Sequence, residues 1–319
     1  MGKQDCTLMT FSLSKIERCS LVLSEWREKL NLSNYERVHF QQELRSLDGQ
    51  LNRLKNKQFR ISVFGRVGVG KSSILNALIG EQIFSSSVVN GSTRRTQVAV
   101  WNQPIKNLNS IELVDSPGFD EINSTKNIFL TSQISKNADL ILLVLDSDIT
   151  SVEQEFLHNL LKSGNPILLV LNRCDQWKED EISKLKKAIR SRLPANAKNL
   201  TITTIAAAPR ESQLLSDGKV RSRVCSPEID SLRDVLIKLL EKQGELFLGL
   251  NALRRADDFY YSLKESRLQK GRPAAQSVIG KYAAAKATGV AISPLLILDI
   301  TAGLACDTAL LMELSKLYG

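Results

Sequence analysis

The 319-residue sequence has little from which to build a covalent or metal framework. Its five cysteines (Cys6, Cys19, Cys174, Cys225 and Cys306) are odd in number and share no paired spacing. That excludes a disulfide framework and a zinc cluster, and fits a reducing cytosol. The first residues carry Lys3 and Asp5 and no apolar stretch of signal-peptide length, so no secretory signal is expected. Negative charge is the scarcer sign: 34 Asp and Glu stand against 43 Lys and Arg, a formal net charge of +9. Such a balance favours acidic partners (nucleic acid, a ribosome or an anionic membrane surface), with plain solubility as the bland alternative. Against nucleic acid, the sequence shows no dense basic cluster, no basic motif interleaved with aromatics and no recognisable RNA-binding module. The length allows one large domain plus a second unit, and the apolar fraction of 43% is ordinary for a globular chain.

What is present centres on Gly65-Arg66-Val67-Gly68-Val69-Gly70-Lys71-Ser72, which fits G-x-x-x-x-G-K-[ST]. Phe59 to Phe64 is short, apolar and β-branched, as in a strand. Ser73 to Ile79 reads as an apolar-faced helix stopped by Gly80. Strand, glycine loop and helix in that order make a phosphate cradle running from Gly65 to Ser73. The glycines let backbone N–H groups close around an anion, and the helix N-terminus points at it. Lys71 is placed to reach the β- and γ-phosphates, and Ser72 to hold Mg²⁺. A glycine-rich turn that binds nothing is the alternative; the flanking strand and helix argue against it.

Along the chain, residues 1–58 read as a helical segment. Leu44, Leu47, Leu51 and Leu54 form an apolar stripe at heptad-like spacing, and Asn31 to Asn34 marks a break between helices. Packing on neighbouring helices is the favoured reading of that stripe, ahead of homotypic coiled-coil pairing. Residues 59–245 alternate strands (97–101, 110–114, 139–145, 166–171, 200–205) with helices (126–136, 150–162, 178–192, and one begun by Pro227 and Glu228). Asp217-Gly218 signals a small hairpin insertion. The alternation predicts a wound α/β sheet with ligands at the strand C-terminal ends. Residues 246–319 carry no strand signal. A mixed-charge helix over 246–270 is expected to break at Gly271-Arg272-Pro273, followed by an Ala-rich helix and the apolar segment 288–312.

Further loops close the predicted strands in a set order. In Asp115-Ser116-Pro117-Gly118, Asp115 is placed to bind Mg²⁺ through water and the Gly118 N–H to bond a γ-phosphate. In Asn172-Arg173-Cys174-Asp175, a carboxylate at Asp175 accepts two N–H bonds from the N1 and 2-amino edge of guanine; adenine lacks that pair of donors. The backbone of Ala206-Ala207 is placed near the guanine O6. Thr93, within 91–96, adds a hydroxyl to Mg²⁺ and γ-phosphate. Each string is weak alone; three of them, each ending a predicted strand in this order, are specific together. They imply GTP/GDP with Mg²⁺, and put Lys71, Thr93 and Gly118 at the reacting phosphate.

On these motifs the chain resembles the translation-factor-related GTPases, nearest to their Era-like and dynamin-like branches. Thr93-Arg94-Arg95 in the first switch is similar to the dynamins. Over its whole length the chain resembles a bacterial, mostly cyanobacterial, group of GTP-binding proteins, with Ala287 to Pro294 through Leu317-Tyr318-Gly319 carrying the C-terminal part. The resemblance implies an α/β fold: a P-loop GTPase domain (59–245) with a mostly parallel sheet and helices on both faces. An N-terminal helical segment (1–58) and a C-terminal, partly hydrophobic helical domain (246–319) flank it. It implies hydrolysis of GTP to GDP and phosphate, and a native chain that runs past Gly319.

Departures from the family pattern set further expectations. Arg173 replaces the usual Lys, and Ala206-Ala207 the usual Ser-Ala. Phe119 follows Gly118 where a water-orienting Gln is common, and Gly68 sits where some relatives hold a monovalent cation with Asn or Ser. Slow intrinsic hydrolysis is expected, helped by a homodimer across the nucleotide face or by Arg66, Arg94 or Arg95, for which ordinary surface charge is the bland alternative. The segment 288–312 is long enough to span a bilayer, although Asp299 and Asp307 would each cost about 2.5–3.5 kcal/mol at its centre. The chain is therefore placed in the cytoplasm, peripheral at a membrane or inserted through 288–312, with a hydrophobic hairpin buried against the N-terminal helices as an equal or slightly better reading. The alternatives are a ribosome- or RNA-assembly GTPase and a GTP-binding switch with little turnover.

Overall fold

The computed structural model describes residues 14–84, 96–119, 135–214, 220–292 and 296–318. Thr93, Arg94, Arg95 and most of the helix expected over 126–136 lie outside the described residues. Two compact units result: residues 1–30 with 45–255, and residues 31–44 with 256–319.

The first unit is organised by a six-stranded sheet. Its strands are β1 (Gln58–Phe64), β2 (Gln97–Trp101), β3 (Ser110–Asp115), β4 (Leu140–Leu145), β5 (Ile167–Leu171) and β6 (Ile202–Thr204), in the order β2-β3-β1-β4-β5-β6. Only β2 runs antiparallel, paired with β3; every other pairing is parallel. β4 and β5 are apolar at every position and buried at every position, as strands covered on both faces must be. The parallel strands put their C-terminal ends on one edge of the sheet. That edge is where the three sequence motifs sit.

Helices α4 (Lys71–Ile79), α5 (Ser151–Lys162) and α6 (Glu179–Arg192) connect these strands. Thr150 and Glu153 form a capping box at the start of α5, each bonding the other's backbone N–H. Phe156, Leu157 and Leu160 of α5 and Ile189 of α6 share a core with Ile141, Leu143 and Leu145 of β4. The expected insertion is a hairpin, β7 (Arg210–Leu214) antiparallel to β8 (Val220–Val224).

Upstream, α1 (Lys15–Lys29), α2 (Asn34–His39) and α3 (Gln41–Lys55) are separated where the sequence signals a break, near 30–33. The leucine stripe of α3 is buried within the chain, as the packing reading expects. Downstream, α7 (Asp230–Ile292) and α8 (Leu296–Tyr318) follow. Two expectations are corrected here. The last helix of the first unit starts at Asp230, not at Pro227-Glu228, because Glu228 is engaged in a bridge with Ala206. And α7 runs through Gly271-Arg272-Pro273 without a break. Leu268, Gln269 and Lys270 before the proline, and Ala274 and Ala275 after it, are good helix formers that outweigh one missing N–H. Among the described residues, no helix is long and apolar enough to cross a membrane, and the segment 288–312 is divided between the end of α7 and α8.

Candidate functional site

The loop after β1 has the backbone its sequence calls for. Gly70, the cap of α4, sits in the left-handed region at φ 95°, and a Cβ there would run into the amide nitrogen of Asn172. A Cβ at Gly65 would come within 2.7 Å of the Val144 carbonyl. Glycine at these two positions lets β1, β4 and the loop approach closely. Lys71 is buried, and its Nζ donates to the carbonyls of Gly65 (3.0 Å) and Arg66 (2.7 Å). The ammonium thus lies across the concave side of the loop, where phosphate oxygens would replace carbonyls.

Ser72, the next residue, donates its hydroxyl to Asp115 Oδ2 at 2.5 Å. Asp115 ends β3 and is 0% exposed; its Oδ1 is buried without a partner. Burial pushes its proton affinity up, against the Ser72 hydrogen bond and the charge of Lys71. A buried carboxylate oxygen left unsatisfied is costly unless something fills the position. A hydroxyl and a carboxylate at a phosphate loop are hard oxygen donors, and they fit hydrated Mg²⁺, which keeps several waters beside one or two carboxylates. Gly118, also buried, follows on the same loop, anchored by Ser116 Oγ donating to the Val63 carbonyl at 2.5 Å.

The third loop is tied to the first and to the fourth by one side chain. Asn172 Nδ2 donates to the Val69 carbonyl (2.8 Å), and the Ala207 N–H donates to Asn172 Oδ1 (3.0 Å). The Cys174 N–H reaches the Ile205 carbonyl at 3.0 Å. Asn172 therefore fixes the distance between the phosphate loop and the Ala206-Ala207 backbone. Arg173, in the left-handed region at φ 61°, donates to the Gly68 carbonyl and to Asp146 Oδ2. It thus packs over the phosphate loop in spite of the Lys-to-Arg departure. Asp175 stands exposed in a single 3-10 turn, Cys174–Gln176, with its carboxylate open to solvent. Val67 and Ser73 complete the loop and the first turn of α4. Thr93 lies outside the described residues.

Three residues that sequence reading did not place at the site also act here. Asp146, just beyond β4, pairs with both Arg66 (3.2 Å) and Arg173 (3.2 Å). Glu153 of the α5 capping box, 1% exposed, accepts from Arg66 Nε at 2.9 Å. Arg66, its side chain partly exposed, is held by both carboxylates. Asn76 of α4 accepts from the N–H groups of Ile83 and Phe84, holding the exit toward residues 85–95. The position of Asp146 directly after a buried strand was the one available signal. Asn76 had none, because its bonds run to backbone N–H groups that any sequence supplies. Phe119 is buried and stacks on Phe156 with ring centroids 4.2 Å apart, so the position of a water-orienting Gln is taken up by the core.

Residues 60–173 match the family described as 50S ribosome-binding GTPase, and residues 254–319 match a domain of unknown function. GTPase Der of Campylobacter jejuni (strain RM1221) is 32% identical over 128 residues, 38% of this chain and 26% of Der. Der of Campylobacter fetus is 37% identical over 128 residues, 39% of this chain and 27% of that protein. The chain thus matches only about a quarter of the length of these relatives. A crystal structure of Era in complex with MgGDPNP and nucleotides 1506–1542 of 16S ribosomal RNA is similar at 23% identity and a TM-score of 0.44, over 57% of this chain and 56% of that one. Residues 60–173 thus match a GTPase family model and are similar to Der, and the glycine loop and mostly parallel sheet have the P-loop GTPase fold.

Proposed function

We propose that the chain binds GTP and GDP with Mg²⁺ and hydrolyses GTP to GDP and phosphate, slowly when alone. The observation that carries this is Asp115: a fully buried carboxylate with one oxygen on Ser72 and the other without a partner, at the mouth of the phosphate loop. Ser72 and Asp115 would hold Mg²⁺, with Thr93 as the further ligand; bound there, the ion neutralises charge on the transferring phosphate. Lys71 exchanges two carbonyl bonds for phosphate oxygens. The Gly118 N–H reports the γ-phosphate and is the pivot of a switch between GTP- and GDP-bound states. Asp175 selects guanine, and Asn172 keeps its loop in register with the phosphate loop. Because Phe119 is buried in the core, no side chain of the described residues stands ready to orient the attacking water. A second copy across the nucleotide face supplies the missing group in this reading.

Equilibrium binding of GTP, GDP and ATP with and without Mg²⁺ tests the nucleotide reading. Tight ATP binding, or none of any nucleotide, would refute it. Hydrolysis per protein molecule against protein concentration, with and without anionic liposomes, tests the rest. A rate that climbs with concentration supports catalysis by self-association. A rate that climbs only with lipid supports action at a membrane surface. A flat, slow rate supports a switch that waits for a separate activator.

A further inference from the structure

Beside the phosphate loop, two guanidinium groups and two carboxylates face one another: Arg66 and Arg173, Asp146 and Glu153. Asp146, one residue past β4, takes Arg66 Nη2 on Oδ1 (3.2 Å) and Arg173 Nη1 on Oδ2 (3.2 Å). The Ser147 hydroxyl also donates to Oδ1, at 3.3 Å. Glu153 holds Arg66 a second time, through Nε at 2.9 Å. Arg66 thus draws on both acids, whereas Arg173 draws on Asp146 alone among the described residues. The carboxylates are 18% and 1% exposed, so water screens these pairs less than it would on an open surface.

What depends on Arg173 is the turn that carries Asp175. The Arg173 backbone lies in the left-handed region at φ 61°, which a residue with a Cβ keeps only when its surroundings fix it. Its carbonyl accepts from the Gln176 N–H (3.1 Å) and so closes the 3-10 turn Cys174–Gln176. Its guanidinium reaches back to the Gly68 carbonyl of the phosphate loop, while Asp146 holds its other terminal nitrogen. Cys174 supplies the second anchor of the turn, its N–H on the Ile205 carbonyl. The Asp175 carboxylate is exposed and has no hydrogen bond or ion pair with a described residue. Its direction is inherited from the turn, and the turn is pinned by Arg173 and Cys174.

Given Asp175 as the guanine-selecting carboxylate, the reading on which this one rests, we propose that Asp146 is a positioning residue for base selection. Without its charge, Arg66 stays with Glu153. Arg173 loses its acid and faces Arg66 as a like charge. It then turns toward the solvent it already borders, with 44% of its side chain exposed. The turn keeps its Cys174 anchor and loses the one at Arg173, so Asp175 no longer meets the N1 and 2-amino edge of guanine in line. The phosphate loop stays in place, tied by Lys71 to its own carbonyls and by Asn172 to Val69. Loss of the Asp146 charge therefore weakens base readout and spares phosphate binding, a split that a general loss of stability does not produce.

The experiment is calorimetric titration of the full chain with GDP and with inosine diphosphate, both with Mg²⁺, for the parent, Asp146→Asn and Asp146→Glu, with thermal melting as the check on folding. Inosine diphosphate lacks only the 2-amino group, so the ratio of the two affinities isolates one bond to Asp175. The parent ratio should be about 10–100 in favour of GDP, the worth of a hydrogen bond to a charged acceptor. Asparagine keeps the shape, accepts from one guanidinium and turns N–H groups toward the other. It should shrink the ratio about threefold or more, as coupling within one polar network does, while inosine diphosphate affinity moves less than about twofold. Glutamate restores both acceptor oxygens and should bring the ratio back toward the parent. A parent that binds neither diphosphate, or does not prefer GDP, overturns the reading of Asp175 and this role with it. A parent that prefers GDP, beside a folded Asp146→Asn that keeps the full ratio or loses both affinities in equal proportion, overturns the role of Asp146 alone. So does a ratio that stays as low in Asp146→Glu as in Asp146→Asn, since the role assigned is that of the carboxylate.

Discussion

Two aspartates, both 0% exposed, stand at opposite ends of the central strands. Asp115 closes β3 at the C-terminal edge of the sheet; Asp139 precedes β4 at the other edge. Burial raises the proton affinity of both. Their surroundings differ. Asp139 Oδ1 accepts from Gln50 (3.1 Å) and Asn251 (3.2 Å), and its Oδ2 from the Arg60 N–H (2.9 Å). Nearby Arg53, its own pKa pulled down to about 10 by burial, supplies the compensating charge. Asp115 has one hydroxyl and an empty oxygen. Where α3, β4 and α7 meet, the chain satisfies its own carboxylate; at the ligand edge it leaves one oxygen for something else. A saturated buried acid is architecture, and an unsaturated one is a socket.

The largest expected effect is on the saturated side. Asp139→Ala should lower the unfolding free energy by about 3–5 kcal/mol, because it strands Arg53 as a buried charge and removes the acceptor of the Gln50 amide and the Arg60 N–H. Denaturant unfolding measures the loss. GTP affinity of the folded fraction should stay within a few-fold of the parent, and a selective collapse of nucleotide binding would break the distinction drawn between the two acids.

Asp115→Asn should behave in the opposite way. Removing a desolvated charge that has a single bond partner should leave stability level or slightly raised. Mg²⁺-dependent nucleotide affinity should fall about 10–100-fold, about 1.4–2.7 kcal/mol. Parent binding should strengthen as pH rises above the ordinary carboxylate range, since the raised proton affinity of Asp115 delays its ionisation, and the variant should lose that slope. Isothermal titration with and without Mg²⁺, from mildly acidic to neutral pH, decides it: a variant with undiminished Mg²⁺ dependence would place the ion elsewhere.

Much of this contrast was legible in the sequence on one side only. Asp115 sits in a motif whose spacing has a mechanism, and the strands around it are continuous apolar runs. Asp139 was visible only as the start of such a run. Its partners lie 89 and 112 residues away, in helices whose periodicity shows an apolar face and not which polar residue interrupts it. Pro273 misled because a local helix breaker was weighed without the strong helix formers on both sides of it.

Asn172 asks whether the ligand edge is open generally or only at Asp115. Its amide is satisfied on both sides, by Val69 and Ala207. Asn172→Ala should therefore cost about 1–3 kcal/mol of stability by leaving buried backbone groups unpaired, and should weaken GTP and GDP alike through loss of loop register. Unfolding and nucleotide dissociation rates on the same variant measure both. An effect on stability with unchanged dissociation would class Asn172 with Asp139 as architecture.

The smallest effect belongs to a carboxylate that is paired yet near the surface. In the second unit, Glu36 accepts from Arg267 Nε (2.7 Å) and Nη2 (3.2 Å) while closing the capping box of Ser33. The Arg267 hydrogen bonds, ahead of the Ser33 contacts and against partial burial, pull its pKa from 4.5 to about 2. A lowered carboxylate pKa stabilises the folded state at pH values above the ordinary one, and that contribution fades as pH falls from about 4.5 toward 2. Solvent screening keeps the pair to about 1 kcal/mol or less. Arg267→Ala should speed hydrogen exchange of the α2 amides a few-fold at neutral pH, and the gap to the parent should close in acid. A gap that persists at about pH 2 would mean that Arg267 acts through the packing of its stem, and the ordering of carboxylates by how fully their partners enclose them would lose its exposed end.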